Sequence, residues 1–181
     1  AAFSRGSSSG QDVLRLKNVC KSYGSICLAD GLSLNLARGE TAALIGGNGC
    51  GKTTLLNMIA GDQAPDSGSI RVGSNVRYAF LRQNVSFDND RETVLDTERY
   101  ELEVSEEMAR NRLGAFHFRG DDVFKQVGSL SGGERSRLKL CVMMYRDVNF
   151  LILDEPTNHL DTASREWIEE AVSGFDGTIL F

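Results

Sequence analysis

The fold is decided by the stretch Gly46-Gly47-Asn48-Gly49-Cys50-Gly51-Lys52-Thr53, which matches the pattern G-x-x-x-x-G-K-[ST] without a gap. An apolar segment, Thr41 to Ile45, precedes it, and a segment with helical character, Thr53 to Ala60, follows it. Glycines let several backbone N–H groups converge on phosphate oxygens, and the start of a helix adds positive charge. The pattern therefore predicts a strand, a triphosphate-binding loop and a helix. Lys52 would face the β- and γ-phosphates, and the Thr53 hydroxyl would bind Mg²⁺.

One residue of this loop, Cys50, has two interpretations. The start of a helix lowers the pKa of a thiol, which would suit a redox switch. A small residue that fits a tight loop is the simpler explanation, and we prefer it. A glycine-rich turn without a ligand is the alternative for the loop as a whole, and the strand-loop-helix context argues against it.

A second motif is Phe150-Leu151-Ile152-Leu153-Asp154-Glu155, four apolar residues followed by two carboxylates. A central strand of a parallel sheet is buried on both faces, and its carboxyl end opens where ligands bind. We expect Asp154 to hold Mg²⁺ through water there and Glu155 to activate the attacking water as a general base. A strand that ends in solvated acids is the alternative, and the phosphate loop upstream favours the site.

A third motif, Leu130-Ser131-Gly132-Gly133-Glu134, precedes a predicted helix from Glu134 to Tyr145. Ser131 and Glu134 fit a capping box, which is the purely structural explanation. A cap does not need two glycines, however, and Gly132 and Gly133 leave bare N–H groups at a helix start, as a second anion site would. If two domains face each other, each can offer its second site to the nucleotide of the other, so that both anion sites are used.

Composition limits the remaining possibilities. The chain has 181 residues, 41% of them hydrophobic, which suits one globular domain. The net charge of −5 argues against an extensive basic surface. The sequence has neither a secretory signal nor an apolar run long enough to span a bilayer. Four cysteines without a C-x-x-C pair argue against zinc and suit a cytoplasmic protein.

The order of predicted elements indicates an α/β domain with a mainly parallel central sheet. Residues 1–11 are rich in Gly and Ser and predict a flexible linker or tail, followed by one domain over residues 12–181. We expect this domain to be incomplete, because the chain stops inside the apolar run Thr178 to Phe181. The other predicted elements are strands around 13–19 and 32–36, two short strands within 69–82, a charged helical segment with a solvated face at 92–117, a loop at 128–133, a helix at 162–175 and a strand at 178–181.

Taken in order, the motifs resemble the ABC ATPases: Gly46–Thr54, Gln83, Leu130–Glu134, Asp154–Glu155 and Asn158–Asp161. The resemblance runs from residue 13 almost to the end of the chain. It implies a P-loop NTPase fold with an antiparallel β subdomain and a helical subdomain, ATP and Mg²⁺ as cofactors, and ATP hydrolysis.

The same resemblance implies further roles. Tyr23 would stack on adenine, and Gln83 would sense Mg²⁺ and the γ-phosphate. Leu130–Glu134 would close on the ATP of an opposing domain, and Asn158–Asp161 would lie at the dimer interface. The alternatives are a half-buried strand aromatic for Tyr23 and a solvated polar residue for Gln83.

Three segments resemble the ABC-F subfamily in particular: Phe118–Phe124, Ser131–Leu138 and Glu155–Asp161. That resemblance implies a cytoplasmic twin-ATPase protein that acts on the ribosome, in translation or antibiotic resistance, and places this chain in its second ATPase domain. The motor subunit of a membrane transporter is the alternative, with a membrane partner docked near Gln83. A regulatory module without turnover is disfavoured by Glu155.

One histidine of the family pattern, the switch histidine, would follow the strand at 178–181. His117 and His159 occupy other positions and do not replace it. We therefore expect this chain alone to bind ATP and to hydrolyse it poorly.

Overall fold

The chain divides into two compact units in a computed structural model that describes residues 12–156 and 162–181. Among these residues, the first unit contains 12–78, 149–152 and 177–181, and the second contains 79–148, 153–156 and 162–176. The predicted linker, 1–11, and the predicted interface segment, Asn158–Asp161, lie outside the described residues.

An antiparallel sheet opens the first unit, with strands β1 (Asp12–Tyr23), β2 (Ile26–Ala37) and β4 (Ser67–Val72) in the order β2-β1-β4. Leu14 of β1 pairs with both neighbours, and the inward side chains of β1 form the core of this sheet. β2 begins six residues earlier than predicted, because Tyr23 and Ile26 pair across a tight turn with Gly24 at a φ of 58°. The alternation of apolar residues does not extend into that part of the strand.

A parallel sheet in the same unit contains β3 (Thr41–Ala42), β7 (Thr178–Leu180) and β6 (Phe150–Leu153), with β7 in the middle. β6 is wholly buried, as its four apolar residues predicted. β3 is shorter than the predicted strand from Thr41 to Ile45. Its two residues pair with Ile179 and Leu180, and the Leu44 amide donates a further hydrogen bond to the Phe181 carbonyl oxygen. Ile45 is 94% exposed.

Helix α1 (Lys52–Ala60) follows the glycine-rich loop, as predicted. Its buried residues Leu55, Leu56, Met58 and Ile59 form the apolar stripe that holds it in the first unit. The helix ends at Gly61, whose left-handed conformation is typical of a helix C-terminus.

The second unit is mainly helical and follows strand β5 (Tyr78–Leu81). It contains α2 (Val94–Leu102), α3 (Glu106–Ala115), α4 (Gly132–Tyr145), α5 (Thr162–Ser173) and the 3-10 helices Gly120–Phe124 and Val127–Ser129. The predicted loop at 128–133 is therefore partly helical.

The charged segment predicted at 92–117 forms two helices, α2 and α3. The break occurs at Glu103, which has a left-handed φ of 52°, and Ser105 then caps α3 by accepting a hydrogen bond from the Met108 amide. The predicted solvated face holds for the other charged residues of the segment, which are exposed or half-buried, but is wrong for Glu98, which is fully buried.

Candidate functional site

The glycine-rich loop leads into α1 without a side-chain cap. Gly51 is the N-cap residue, with a φ of 102°, and has no side chain to accept a hydrogen bond from the first turn. A Cβ at Gly51 would also lie 3.0 Å from the Leu28 side chain. The start of α1 therefore depends on an acceptor that is not the cap side chain, which suits an anion.

Lys52 folds over this loop. Its Nζ donates hydrogen bonds to the carbonyl oxygens of Gly46 at 2.8 Å and Gly47 at 3.1 Å. The loop is closed further by the Cys50 amide, which donates to the Gly47 carbonyl at 3.3 Å. These bonds hold the ammonium beside the glycines of the loop, where the sequence predicts the β- and γ-phosphates.

Cys50 packs inside the loop. A Cβ built on Gly46 would lie 2.5 Å from the Cys50 Sγ, so the sulfur fills the space beside that glycine. The thiol is reduced and exposed. This packing suits the simpler of the two interpretations, in which Cys50 is a small residue that fits a tight loop.

The remaining predicted residues of the loop are Asn48, Gly49, Thr53 and Thr54. Gly49 has a left-handed φ of 77°, and Thr53 is exposed in the first turn of α1. Beside the loop lies a cavity of about 180 Å³, whose lining includes the polar residues Lys52 and Thr54 and the apolar residue Leu28. A mostly apolar lining with a few polar groups is typical of ligand sites.

Tyr23, the predicted base-stacking residue, stands at the end of β1. The residue is 50% exposed, and its hydroxyl donates a hydrogen bond to Gln63 Oε1 at 3.1 Å. The Lys21 ammonium lies 5.3 Å from the centre of the ring. An exposed aromatic ring that is held at its hydroxyl can serve as a stacking surface.

In the second unit the carboxyl end of β6 presents both predicted acids. Asp154 is 3% exposed, and its amide donates to the Leu81 carbonyl at 2.9 Å. Glu155 has a left-handed φ of 48°, which is uncommon for a residue with a side chain and is concentrated at functional positions. The structure brings Glu155 to Gln83, whose Nε2 lies 3.4 Å from Glu155 Oε2, across 72 positions of sequence.

The motif that precedes α4 forms the predicted capping box. The Ser131 hydroxyl accepts from the Glu134 amide at 3.2 Å, and the Ser131 amide donates to Glu134 Oε2 at 2.8 Å. Lys125 adds an ion pair to Glu134 at 3.2 Å. Burial would raise the pKa of Glu134, but these bonds from Ser131 and Lys125 outweigh it, and the pKa is lowered. Open space lies beyond the Gly132 Cα, so a ligand could approach this helix start.

The predicted Mg²⁺ ligands are Thr53, Gln83 and Asp154. Magnesium binds through one or two carboxylates, substrate phosphates and water, so these oxygen donors fit that ion. No group of three His, Cys, Asp or Glu side chains that could hold a metal occurs within residues 12–156 and 162–181. In the same ranges, no helix is long and apolar enough to cross a bilayer.

Sequence reasoning missed two features near these sites. Gln63 carries no motif, and nothing in the sequence marks it as a partner of Tyr23. Glu98 did leave a signal, because it lies three and four positions after the buried residues Leu95 and Val94, on the same face of α2.

These features define a nucleotide-binding P-loop domain, and comparison with known proteins identifies its family. The family described as ABC transporter matches residues 29–158. The chain therefore belongs to the ABC transporter family, and the ATPase class predicted from the motifs is confirmed.

Curated relatives agree with this assignment. The chain is 46% identical over 175 residues to the ATP-binding protein YdiF of Bacillus subtilis, covering 96% of this chain and 27% of that protein. It is 41% identical over 174 residues to the energy-dependent translational throttle protein EttA of Escherichia coli, covering 93% and 31%. It is 36% identical over 187 residues to ABC transporter F family member 5 of Arabidopsis thaliana, covering 98% and 26%. The chain thus spans less than a third of each of these relatives.

Solved structures share the fold. An ABC transporter ATP-binding protein of Pyrococcus furiosus superimposes with a TM-score of 0.78 at 19% identity, over 93% of this chain and 90% of that one. A metal-chelate type ABC transporter in an inward-facing conformation gives 0.73 at 24% identity, over 94% and 72%. The predicted fold, a P-loop α/β domain with parallel, antiparallel and helical parts, is confirmed.

Proposed function

We propose that this chain binds Mg-ATP on Gly46–Thr54 and, paired with a second ABC domain, hydrolyses it to drive a conformational switch. The observation that carries the proposal is the position of Lys52, whose ammonium is bonded to the carbonyls of Gly46 and Gly47 at the uncapped start of α1. Fixed backbone donors, a helix start and one lysine are the arrangement that binds a triphosphate.

The catalytic roles follow from the chemistry of each side chain. The Thr53 hydroxyl would bind Mg²⁺, and Asp154 would hold the ion through water, together with Gln83. Glu155 would accept a proton from the attacking water. Gln83, whose Nε2 lies 3.4 Å from Glu155 Oε2, would orient that water beside the carboxylate. Phosphoryl transfer depends mainly on such positioning and on stabilisation of charge, so each contact should matter to the rate.

The second domain would be another part of the full-length protein or a second copy of the chain. Ser131, Gly132, Gly133 and Glu134 would meet its nucleotide, since they form a second glycine-rich helix start. We propose residues 12–181 as one ATP-binding domain and residues 1–11 as a linker. On this proposal the chain alone is a poor catalyst, because part of each active site comes from the facing domain.

The setting we favour is the cytoplasm and the ribosome. EttA is named a translational throttle, and another relative is named an F family member, which supports an ABC-F protein that acts in translation or antibiotic resistance. The motor subunit of a membrane transporter is the second candidate, and the description of the matching family supports it. Both candidates use the same ATP site.

The first test is the variant Lys52→Ala, which removes the charge at the phosphate loop. We expect ATP binding to be lost in titration calorimetry, whereas Lys17→Ala, which changes an exposed lysine of β1 in the same unit, should leave it intact. If Lys52→Ala bound ATP as tightly as the parent protein, the site would be assigned wrongly.

The second test uses the full-length protein with Glu155→Gln, which keeps the shape of the side chain but cannot accept a proton. We expect ATP to be bound and not turned over, and the trapped protein to sediment with ribosomes. Glu166→Gln on the exposed face of α5 is the control. Normal turnover would exclude Glu155 as the base, and a trapped protein that sediments with membranes instead of ribosomes would favour the transporter.

A further inference from the structure

The end of β1 is tied to the segment that follows α1. The Lys21 Nζ lies 2.8 Å from Asp66 Oδ1, and the Ser22 amide donates to Asp66 Oδ2 at 2.7 Å. The next residue, Tyr23, donates its hydroxyl hydrogen to Gln63 Oε1 at 3.1 Å. Three consecutive residues of β1 are thus bonded to residues 63–66.

The ion pair between Lys21 and Asp66 persists across the neutral pH range. The hydrogen bond with Asp66 raises the pKa of Lys21, and the same bond with Lys21 lowers the pKa of Asp66. Both groups therefore stay charged in neutral solution, and the backbone just before Tyr23 is held in place.

Gln63 makes a second contact from its other end. Its Nε2 donates to the carbonyl oxygen of Thr54 at 3.4 Å, and Thr54 lies in the first turn of α1, two residues after Lys52. Through one side chain the Tyr23 hydroxyl is connected to the helix that begins at the phosphate loop. Tyr23 itself is half exposed, so part of its ring is open to a ligand.

We propose that Gln63 is a positioning residue for the base of a bound nucleotide, since it fixes the Tyr23 ring at a set distance from the phosphate loop. The inference rests on the proposed ATP site. An aromatic side chain at a strand end otherwise rotates about its Cα–Cβ and Cβ–Cγ bonds, and a base that stacks on it must stop that motion. A ring that is already held by Gln63 loses less conformational freedom on binding, so the planar base binds more tightly.

The experiment separates the base from the phosphates by titrating two ligands, ATP and inorganic triphosphate. Gln63→Met removes both hydrogen bonds at nearly constant length, and Tyr23→Phe removes the hydroxyl and keeps the ring. We expect each variant to bind ATP about threefold more weakly, the effect of one exposed hydrogen bond, and to bind inorganic triphosphate unchanged. The double variant should also lose about threefold, because both changes remove the same bond.

The control is Gln126→Met, an exposed glutamine of the second unit, which should bind both ligands as the parent does. An equal loss of ATP and triphosphate binding in Gln63→Met would show a general structural defect and overturn the inference, as would unchanged ATP binding. If Gln63→Met does not fold, Tyr23→Phe tests the same bond from its other end. A parent protein that binds neither ligand would instead refute the proposed ATP site itself.

Discussion

Glu98 offers the sharpest test of how the helical unit is held together. It lies on α2 with no exposed surface, and neither of its carboxylate oxygens has a hydrogen-bond partner in the described part of the chain. Burial raises its pKa from 4.5 to about 7, and the positive charge of Arg112 on α3 offsets only part of that effect. The native unit therefore holds a carboxyl group that takes up a proton near neutral pH.

The sign and size of the effect follow from proton linkage. Between pH 4.5 and about 7 the unfolded chain loses this proton and the folded chain keeps it, so stability falls as the pH rises and is lowest above 7. A pKa that rises from 4.5 to about 7 corresponds to about 3 kcal/mol at pH 8. Glu98→Gln is neutral at every pH and similar in shape, so it should remove that penalty.

Urea unfolding followed by circular dichroism, at pH 5 and at pH 8, measures both effects. We expect Glu98→Gln to raise the free energy of unfolding by up to about 3 kcal/mol at pH 8 and by much less at pH 5. Glu107→Gln, at an exposed position of α3, is the matched control and should change neither value. A Glu98→Gln protein with the same dependence on pH as the parent would refute the argument.

Three further predictions concern single residues. Gly68→Ala should lower the free energy of unfolding by about 3 kcal/mol, because φ is +85° there and a Cβ would clash with the Asn18 carbonyl oxygen. Gly39→Ala, at a φ of +76° in open space, should lower it by only about 1 kcal/mol. Equal losses in urea unfolding would refute the steric explanation. Ser131→Ala should cost about 1 kcal/mol by removing the cap of α4, whereas Ser131→Asp should keep that stability. Burial raises the pKa of the Cys141 thiol, so mass spectrometry should find it alkylated at least about tenfold more slowly than the exposed Cys50, and comparable rates would contradict its burial.

The sequence predicts best where a backbone requirement limits the choice of residue. Gly51 must adopt a φ of 102° beside Leu28. The spacing of the glycines around Gly51 predicts both the loop and the helix that follows the loop. Four apolar residues in a row likewise predict the buried strand Phe150–Leu153. In each case the local sequence pattern favours the conformation that the tertiary structure also requires.

Prediction fails where the cause lies far away in sequence. Thr41 and Ala42 pair with Ile179 and Leu180, and no local pattern shows which strand is their partner. Gln63 meets Tyr23 across 40 positions through one hydrogen bond, and Glu155 meets Gln83 across 72. The sequence marked Gln83 and Glu155 separately as site residues and did not mark Gln63, and both contacts become visible only in the folded chain.

The two glycine-rich helix starts differ in a way that suits different duties. Gly51 gives α1 no side-chain cap, whereas α4 carries a complete capping box of Ser131 and Glu134. A helix start that always holds its own phosphate can depend on that ligand for its N-terminal hydrogen bonds. A helix start that binds the nucleotide of another domain must be ordered before that domain arrives, and the cap supplies that order within the chain.

On the proposed function, Ser131→Ala should therefore weaken pairing with the second domain in the presence of ATP and leave ATP binding by the single domain unchanged. Sedimentation velocity detects both the compact, paired form of a full-length protein and a homodimer of the chain, so it measures the pairing, and ATP titration of this chain measures the binding. Loss of ATP binding by the single chain would place Ser131 at its own nucleotide instead of the partner's.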